Sequence, residues 1–370
     1  MNIYERLGVR QYINASATLT MYGGSIMPEE VVAAMNEAAG SYVDLLDLHR
    51  KAGDYIAKLT HNEAAFISNG AAAGIVLATA AAVAGDDPER RTALPLSDGR
   101  NEILVSQAGR VGYDYAIKVG GGVIKAYGGN SKSDSKELEA AITKNTAAVF
   151  MFHFENRMGN QPSFEEQLKI AKKHGLYFFV DAAAQLPSKE NLWRFTERGA
   201  DIVIFSGGKG LRGPQSSGLM VGKRELIDRV LTIASPNPGL GRPFKVGKEE
   251  IIGLMTAVRL YMESDEEAVI KSYEAQVQYI VDEFRGFAGA EAARDFPSEA
   301  GQPMPRARLN LLEGAFKASA AAVAETLKKG SPAVLVATLE NSLLINPQTL
   351  LKGEIEIVAA KIKEALMEAR

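Results

Sequence analysis

A lone lysine, Lys209, stands in the glycine-rich stretch Ile204-Phe-Ser-Gly-Gly-Lys-Gly-Leu-Arg-Gly-Pro-Gln, and Asp181 closes the apolar run Leu176-Tyr-Phe-Phe-Val-Asp. That run reads as a buried parallel strand, and its carboxyl end is where an open α/β sheet presents groups to a ligand. Asp201-Ile-Val-Ile-Phe reads as a second such strand, which delivers Ser206 and Lys209 to the same rim. A primary amine can form a Schiff base with an aldehyde, and a carboxylate can hold a pyridine nitrogen protonated. Together they are the least protein equipment that pyridoxal phosphate (PLP) chemistry needs. Singly, each has a plainer explanation, since an aspartate at a strand end often caps a helix and a lysine among glycines is often a solvated loop residue. Their placement on consecutive strands of one sheet favours the cofactor site.

A third element supports it. Phe66-Ile-Ser-Asn-Gly-Ala-Ala-Ala-Gly followed by Ile75-Val-Leu-Ala-Thr-Ala-Ala-Ala-Val-Ala reads as strand, small-residue turn and helix. A helix whose first turn carries no bulky side chain offers bare N–H groups and the positive end of its dipole to a phosphate. Ser68, Asn69, Gly70, Ala71 and Ala72 are the candidates for that cradle. Taken alone, the segment reads more simply as an ordinary alanine-rich helix packed on a sheet. Competing phosphate motifs fail on spacing: position 203 is Val and position 210 is Gly where a Walker A loop needs Gly and Ser or Thr, and Gly70 to Gly74 does not fit Gly-x-Gly-x-x-Gly.

The elements that must position these groups alternate along the chain. Ala64–Ser68, Glu102–Ser106, Val123–Tyr127, Ala147–Phe152, Tyr177–Val180, Asp201–Phe205 and Gly218–Val221 read as short strands separated by helical segments. The pattern predicts an α/β fold: a mostly parallel seven-stranded sheet with helices on both faces. After residue 248 the texture changes to long amphipathic helices, strands over Arg306–Leu311 and Ala333–Ile345, and a closing helix from Ile355, a small α/β C-terminal domain. The expected division is an N-terminal segment, 1–45, joining that small domain; a large cofactor-binding domain, 46–248; and the small domain, 249–370. The Pro- and Gly-rich stretch Ser235 to Lys245 reads as the hinge-like connection between the two.

Composition narrows the class. The chain has 370 residues, 46% of them hydrophobic, a formal net charge of −3 and no cysteine. Disulfides, thiolate zinc sites and a cysteine nucleophile are excluded, and the charge gives no global attraction for nucleic acid. The four histidines, His49, His61, His153 and His174, lack ligand spacing, so no metal site is expected. No secretory signal is visible, and the alanine-rich run near residues 71–84 is too short for a bilayer, which needs about 20 residues. The expectation is a soluble cytoplasmic protein with no membrane partner.

The segments Asn2-Ile-Tyr-Glu-Arg-Leu-Gly-Val-Arg-Gln-Tyr-Ile-Asn-Ala-Ser, Val180-Asp-Ala-Ala-Ala-Gln-Leu-Pro, Ser206-Gly-Gly-Lys-Gly-Leu-Arg-Gly-Pro-Gln and Gly241-Arg-Pro-Phe-Lys-Val-Gly-Lys-Glu-Glu-Ile-Ile-Gly carry a family resemblance. The chain resembles fold-type-I PLP enzymes of the aspartate aminotransferase type, within the branch of selenocysteine synthase (seryl-tRNA selenium transferase) and D-glucosaminate-6-phosphate ammonia lyase. The resemblance implies that Lys209 is the Schiff-base lysine, Asp181 the partner of the pyridine nitrogen and Ser206 a phosphate contact. It also implies an arginine, here Arg242, approaching the active site of a neighbouring subunit in a homodimer or higher even-numbered assembly. Relatives often carry a His before Arg110, where this chain has Gly109. A ring over the cofactor's face would be missing there, and Gln107 or Arg110 is the candidate to cover it.

PLP is an electron sink, and the protein selects the bond at Cα that breaks. Lys209 is the expected base. Loss of the Cα proton followed by expulsion of a β-hydroxyl gives an enamine that hydrolyses to a 2-keto acid and ammonia. The expected activity is therefore a PLP-dependent lyase acting by α,β-elimination on a small hydroxy-amino acid or amino-sugar acid, possibly phosphorylated. Racemisation, β-replacement and transamination share the first step and stay open, and a non-catalytic PLP-binding protein is the reading outside enzymes. Arg110, Arg212, Arg242, Lys245 and Arg306 are candidates to bind the substrate's carboxylate or phosphate.

Overall fold

The structure is a computed structural model and describes residues 2–96, 98–154 and 159–370. In chain order its strands are β1 (Tyr12–Ala15), β2 (Ala64–Ser68), β3 (Glu102–Ser106), β4 (Val123–Tyr127), β5 (Thr146–Phe152), β6 (Tyr177–Asp181), β7 (Ile202–Ser206), β8 (Gly218–Gly222), β9 (Ala290–Asp295), β10 (Arg306–Leu311), β11 (Ala333–Leu339) and β12 (Ser342–Ile345). They form two sheets, β2-β8-β7-β6-β5-β3-β4 and β1-β11-β12-β10-β9.

The seven-stranded sheet is parallel except at β8, which runs antiparallel to both β2 and β7. Its central strands are apolar along nearly their whole length because both faces are covered, whereas the edge strand β4 carries Lys125 and is partly exposed. Phe178, Val180, Val203 and Phe205 enter one core with Ile56, Leu192 and Ile251, whereas Phe150, Phe179, Ile202 and Ile204 enter the other with Ile75 and Leu77. The period of two is thus present but hidden, since neither face needs polar residues. Each buried phenylalanine is worth about 3–5 kcal/mol against truncation to alanine.

The helix Gly70–Ala84 is buried on almost every side, which its alanines permit. A Cβ at Gly74 would meet the Ile204 side chain at 3.0 Å, so this turn packs close on β7. Asp201, at the start of that strand, is buried and held by Lys172 at 2.7 Å, Lys223 at 2.8 Å and the Phe178 amide at 2.8 Å. These bonds fix β6 and β7 in register at the end of the sheet away from Lys209.

The chain forms two compact units, 25–264 and 1–24 with 265–370. The expected boundaries at 45 and 248 therefore move. Helix Leu45–Leu59 contributes Ala52, Ile56 and Ala57, and helix Lys248–Glu263 contributes Ile251, Leu254 and Val258, to the core under the seven-stranded sheet. Helix Glu29–Ala39 packs on Lys248–Glu263 and belongs with them. For the same reason the stretch Ser235 to Lys245 is no hinge between units: it lies inside the larger one, with a single helical turn at Arg242–Phe244.

In the smaller unit β1 pairs parallel with β11, and the remaining pairs are antiparallel. Leu309, Leu343, Ile345, Val358 and Ile362 make its core, closed by helix Glu354–Glu368. The stretch expected as strand from Ala333 to Ile345 is a hairpin, turning at Glu340, whose φ is +52°. β9 was not foreseen. Its sequence, Ala-Glu-Ala-Ala-Arg-Asp, has no large apolar residue to mark a buried face.

Candidate functional site

The site lies within the larger unit, at the carboxyl ends of β6 and β7. Asp181 and Ile204 are register partners, the Ala182 N–H donates to the Ile204 carbonyl at 2.8 Å, and the Ser206 N–H donates to the Ala183 carbonyl at 3.3 Å. The chain beyond Asp181 thereby follows β7 towards Ser206 and the turn that carries Lys209.

That turn is glycine-rich for steric reasons. A Cβ at Gly207 would fall 2.1 Å from the Ser217 hydroxyl, one at Gly208 2.6 Å from the Gln215 side chain, and one at Gly210 2.8 Å from the Leu186 side chain. The Gly207 N–H donates to the Ser217 carbonyl and the Gly213 N–H to the Gly207 carbonyl, each at 2.8 Å, while the Ser25 hydroxyl donates to the Gly208 carbonyl at 3.0 Å. Lys209, half-buried, is the long side chain this wall admits.

Asp181 is 6% exposed, and its carboxylate accepts the Ala183 N–H at 3.0 Å. Burial pushes its pKa up to about 6; the Ala183 hydrogen bond and the charges of Lys209 and His153 oppose the rise without cancelling it. A carboxylate whose pKa stays raised despite those charges is stabilised further by a closer cation. A flat heteroaromatic ring with a protonatable nitrogen would supply one.

The candidate phosphate cradle is the start of the helix after β2. Helix Gly70–Ala84 starts with no side-chain cap on its first N–H groups, because Asn69 turns its amide to the Lys245 carbonyl at 2.8 Å and Ser68 gives its hydroxyl to the Gly70 carbonyl at 2.9 Å. Gly70 adopts φ +77°, which costs a side-chain-bearing residue about 1–2 kcal/mol. A Cβ at Gly218 would lie 2.4 Å from the Gly70 carbonyl carbon and 2.7 Å from the Ala71 nitrogen. The first turn is therefore bare and closely approached, as an anion site requires. Amine, buried carboxylate and bare helix start together fit PLP.

Asn69, Arg242 and Lys245 meet around a cavity of about 470 Å³, also walled by Ser216 and Glu250. Arg242 and Lys245 are exposed. Of the other expected residues, Gln107 donates to Asn130 at 2.9 Å and Arg110 pairs with Asp114 at 2.6 Å. Arg212 donates to the Ile26 carbonyl at 3.0 Å. Arg306 belongs to the smaller unit, where it pairs with Asp295 at 2.6 Å and Glu299 at 3.6 Å.

Sequence reasoning missed His153. It follows β5, is buried, and donates its backbone N–H to the Asp181 carbonyl at 3.0 Å. Its place directly after an apolar strand was the available signal, the same one that singled out Asp181.

The chain is similar to several known proteins. The model of the L-seryl-tRNA selenium transferase family matches residues 12–274. The chain is 32% identical to a Streptomyces 5'-C-glycyluridine monooxygenase-decarboxylase, over 99% of this chain and 92% of that protein. It is 29% identical to D-glucosaminate-6-phosphate ammonia lyase of Salmonella typhimurium, over 98% of this chain and 97% of the relative. A solved structure of D-glucosaminate-6-phosphate ammonia-lyase superposes with a TM-score of 0.87 at 28% identity, covering 100% of this chain and 99% of that one.

Proposed function

The chain belongs to the L-seryl-tRNA selenium transferase family, and from that membership we propose that it is a PLP-dependent carbon–nitrogen lyase that releases ammonia from a small hydroxy-amino acid or amino-sugar acid by α,β-elimination. The observation that carries this reading is the convergence of buried Asp181 and Lys209 on the rim of one sheet beside a bare helix start. The full-length likeness to an ammonia lyase, in sequence and in structure, favours elimination over the family's selenium transfer. A net charge of −3 also offers no global attraction for a tRNA.

Bound in this site, PLP supplies an electron sink for the pair left at the substrate's Cα. Asp181 would hold a proton on the ring nitrogen, its own carboxylate becoming ionised as it gains a cationic partner. The N–H groups of the first turn from Gly70, with Ser206, would hold the phosphate. Lys209 would tether the aldehyde and, once freed by the substrate amine, take the Cα proton. Arg242 and Lys245, exposed around a cavity with Asn69, would receive a carboxylate or phosphate on the substrate. The apolar strands below exclude water from the carboxylate.

A second reading rests on the relative at 32% identity, whose name describes oxygenation with decarboxylation. One experiment separates the two. Purified protein is incubated with PLP and a panel of D- and L-hydroxy-amino acids and amino-sugar acids, with and without phosphate, while ammonia, 2-keto acid, oxygen uptake and carbon dioxide are measured. Ammonia and keto acid in equal amounts, without oxygen uptake, is the expected result; oxygen-dependent loss of carbon dioxide would replace elimination by the second reading.

A further inference from the structure

Gly109 has no side chain, yet its backbone does not demand glycine. Its φ lies outside the left-handed region, and the three nearest heavy atoms to an added Cβ all belong to one residue: Gln161 Oε1 at 2.6 Å, Cδ at 3.0 Å and Nε2 at 3.3 Å. The space a side chain at 109 would take is already filled by the Gln161 amide.

That amide is fixed at the rim of the site. Gln161 is 7% exposed, and its Nε2 donates to the carbonyl of Phe152 at 3.4 Å; Phe152 ends β5 and is the register partner of Asp181. From the other side, the Gly109 N–H donates to the Ser106 hydroxyl at 3.1 Å, that hydroxyl bonds Ser133 Oγ at 2.7 Å, and the Ser133 N–H donates to the carbonyl of Asn160 at 3.0 Å. The turn after β3 and Asn160, next to Gln161, are thus laced together, while the Gln161 amide itself is bonded to the end of β5, the strand beside the carboxylate.

We infer that Gln161 is a cofactor-positioning residue: its amide substitutes for a side chain at position 109 and walls the cofactor ring on the β3–β5 side. The inference rests on PLP being the ligand of this site. Gly109 and Gln161 then form an exchangeable pair in which either position, but not both, provides the wall.

The test uses cofactor affinity and the circular dichroism of bound PLP in the visible range, so it does not depend on turnover. Gln161→Ala is expected to raise the PLP dissociation constant about five- to tenfold, the loss of one hydrogen-bonded polar contact, and to weaken the visible dichroism. Gly109→Ala, which pushes the amide away without removing it, should do the same, and it serves as the deciding variant if Gln161→Ala fails to fold. Adding Gly109→His to Gln161→Ala should bring the constant back to within about twofold of wild type, one rotameric contact restored for one removed. Wild-type affinity and dichroism in Gln161→Ala or in Gly109→Ala, or a double variant no better than Gln161→Ala, would overturn the inference. Failure of the wild-type protein to take up PLP would instead overturn the functional reading beneath it.

Discussion

Gly218 and Gly70 approach so closely that a Cβ on the first would lie 2.4 Å from the carbonyl carbon of the second. Strand β8 is thereby brought against the first turn of helix Gly70–Ala84, and the shape of the proposed phosphate cradle depends on the absence of one methyl group. Gly218→Ala should displace that turn. Overpacking of this kind costs about 1–3 kcal/mol, and PLP affinity should fall about tenfold or more while turnover at saturating PLP stays near wild type. Titration of the apoprotein with PLP, followed by rate measurement at saturation, checks both halves.

Asp181→Asn keeps shape and removes charge. Because Asp181 is assigned to the ring nitrogen, the loss should fall on kcat and should not recover with excess PLP. Breaking a buried charge pair costs about 3–5 kcal/mol, so a drop of a hundredfold or more is expected. Near wild-type kcat at saturating PLP would reduce Asp181 to a strand-end cap.

The same carboxylate makes a prediction about the apoprotein. Its pKa in the fold is about 6, above the ordinary 3.8, so the folded state prefers the neutral acid. Its contribution to stability is then fully present below about pH 4 and is lost as pH rises through 6. Apo Asp181→Asn lacks that loss and should gain on wild type by about 2–3 kcal/mol between pH 4 and 7. Denaturant melts of the two apoproteins across that range test it; parallel pH profiles would contradict a raised pKa.

Much of this was legible in the sequence because the sheet's strands are short apolar runs between helical segments, and the seven of the large sheet fall where their apolar runs stand. The rim position of Asp181 and Lys209 follows from the same runs. What could not be read was long-range packing. Helices Leu45–Leu59 and Lys248–Glu263 look like any amphipathic helices, and nothing local says that Ile56 and Ile251 share a core with Phe178. Nor does a glycine at 109 announce that a glutamine 52 residues later fills its place. Charged pairs across strands were the least legible: Arg306 is buried against Asp295, its register partner on β9, a contact that no local spacing announces.

Arg242 and Lys245 lie exposed around the 470 Å³ cavity with Asn69. By the family resemblance this arginine approaches a neighbouring active site, so the protein should be a homodimer or a larger even-numbered assembly. Arg242→Ala should then lower activity, and mixing it with inactive Lys209→Ala subunits should restore part of it. Sedimentation as a monomer with full activity at assay dilution would exclude a shared site.

The central claim is that Lys209 carries the cofactor. The most direct measurement is borohydride reduction of the protein with PLP, followed by protease digestion and mass analysis of the peptides. The account predicts a reduced phosphopyridoxyl group on the peptide containing Lys209, and none on Lys245 or Lys223. Label on any other lysine, with Lys209 unmodified, would contradict it.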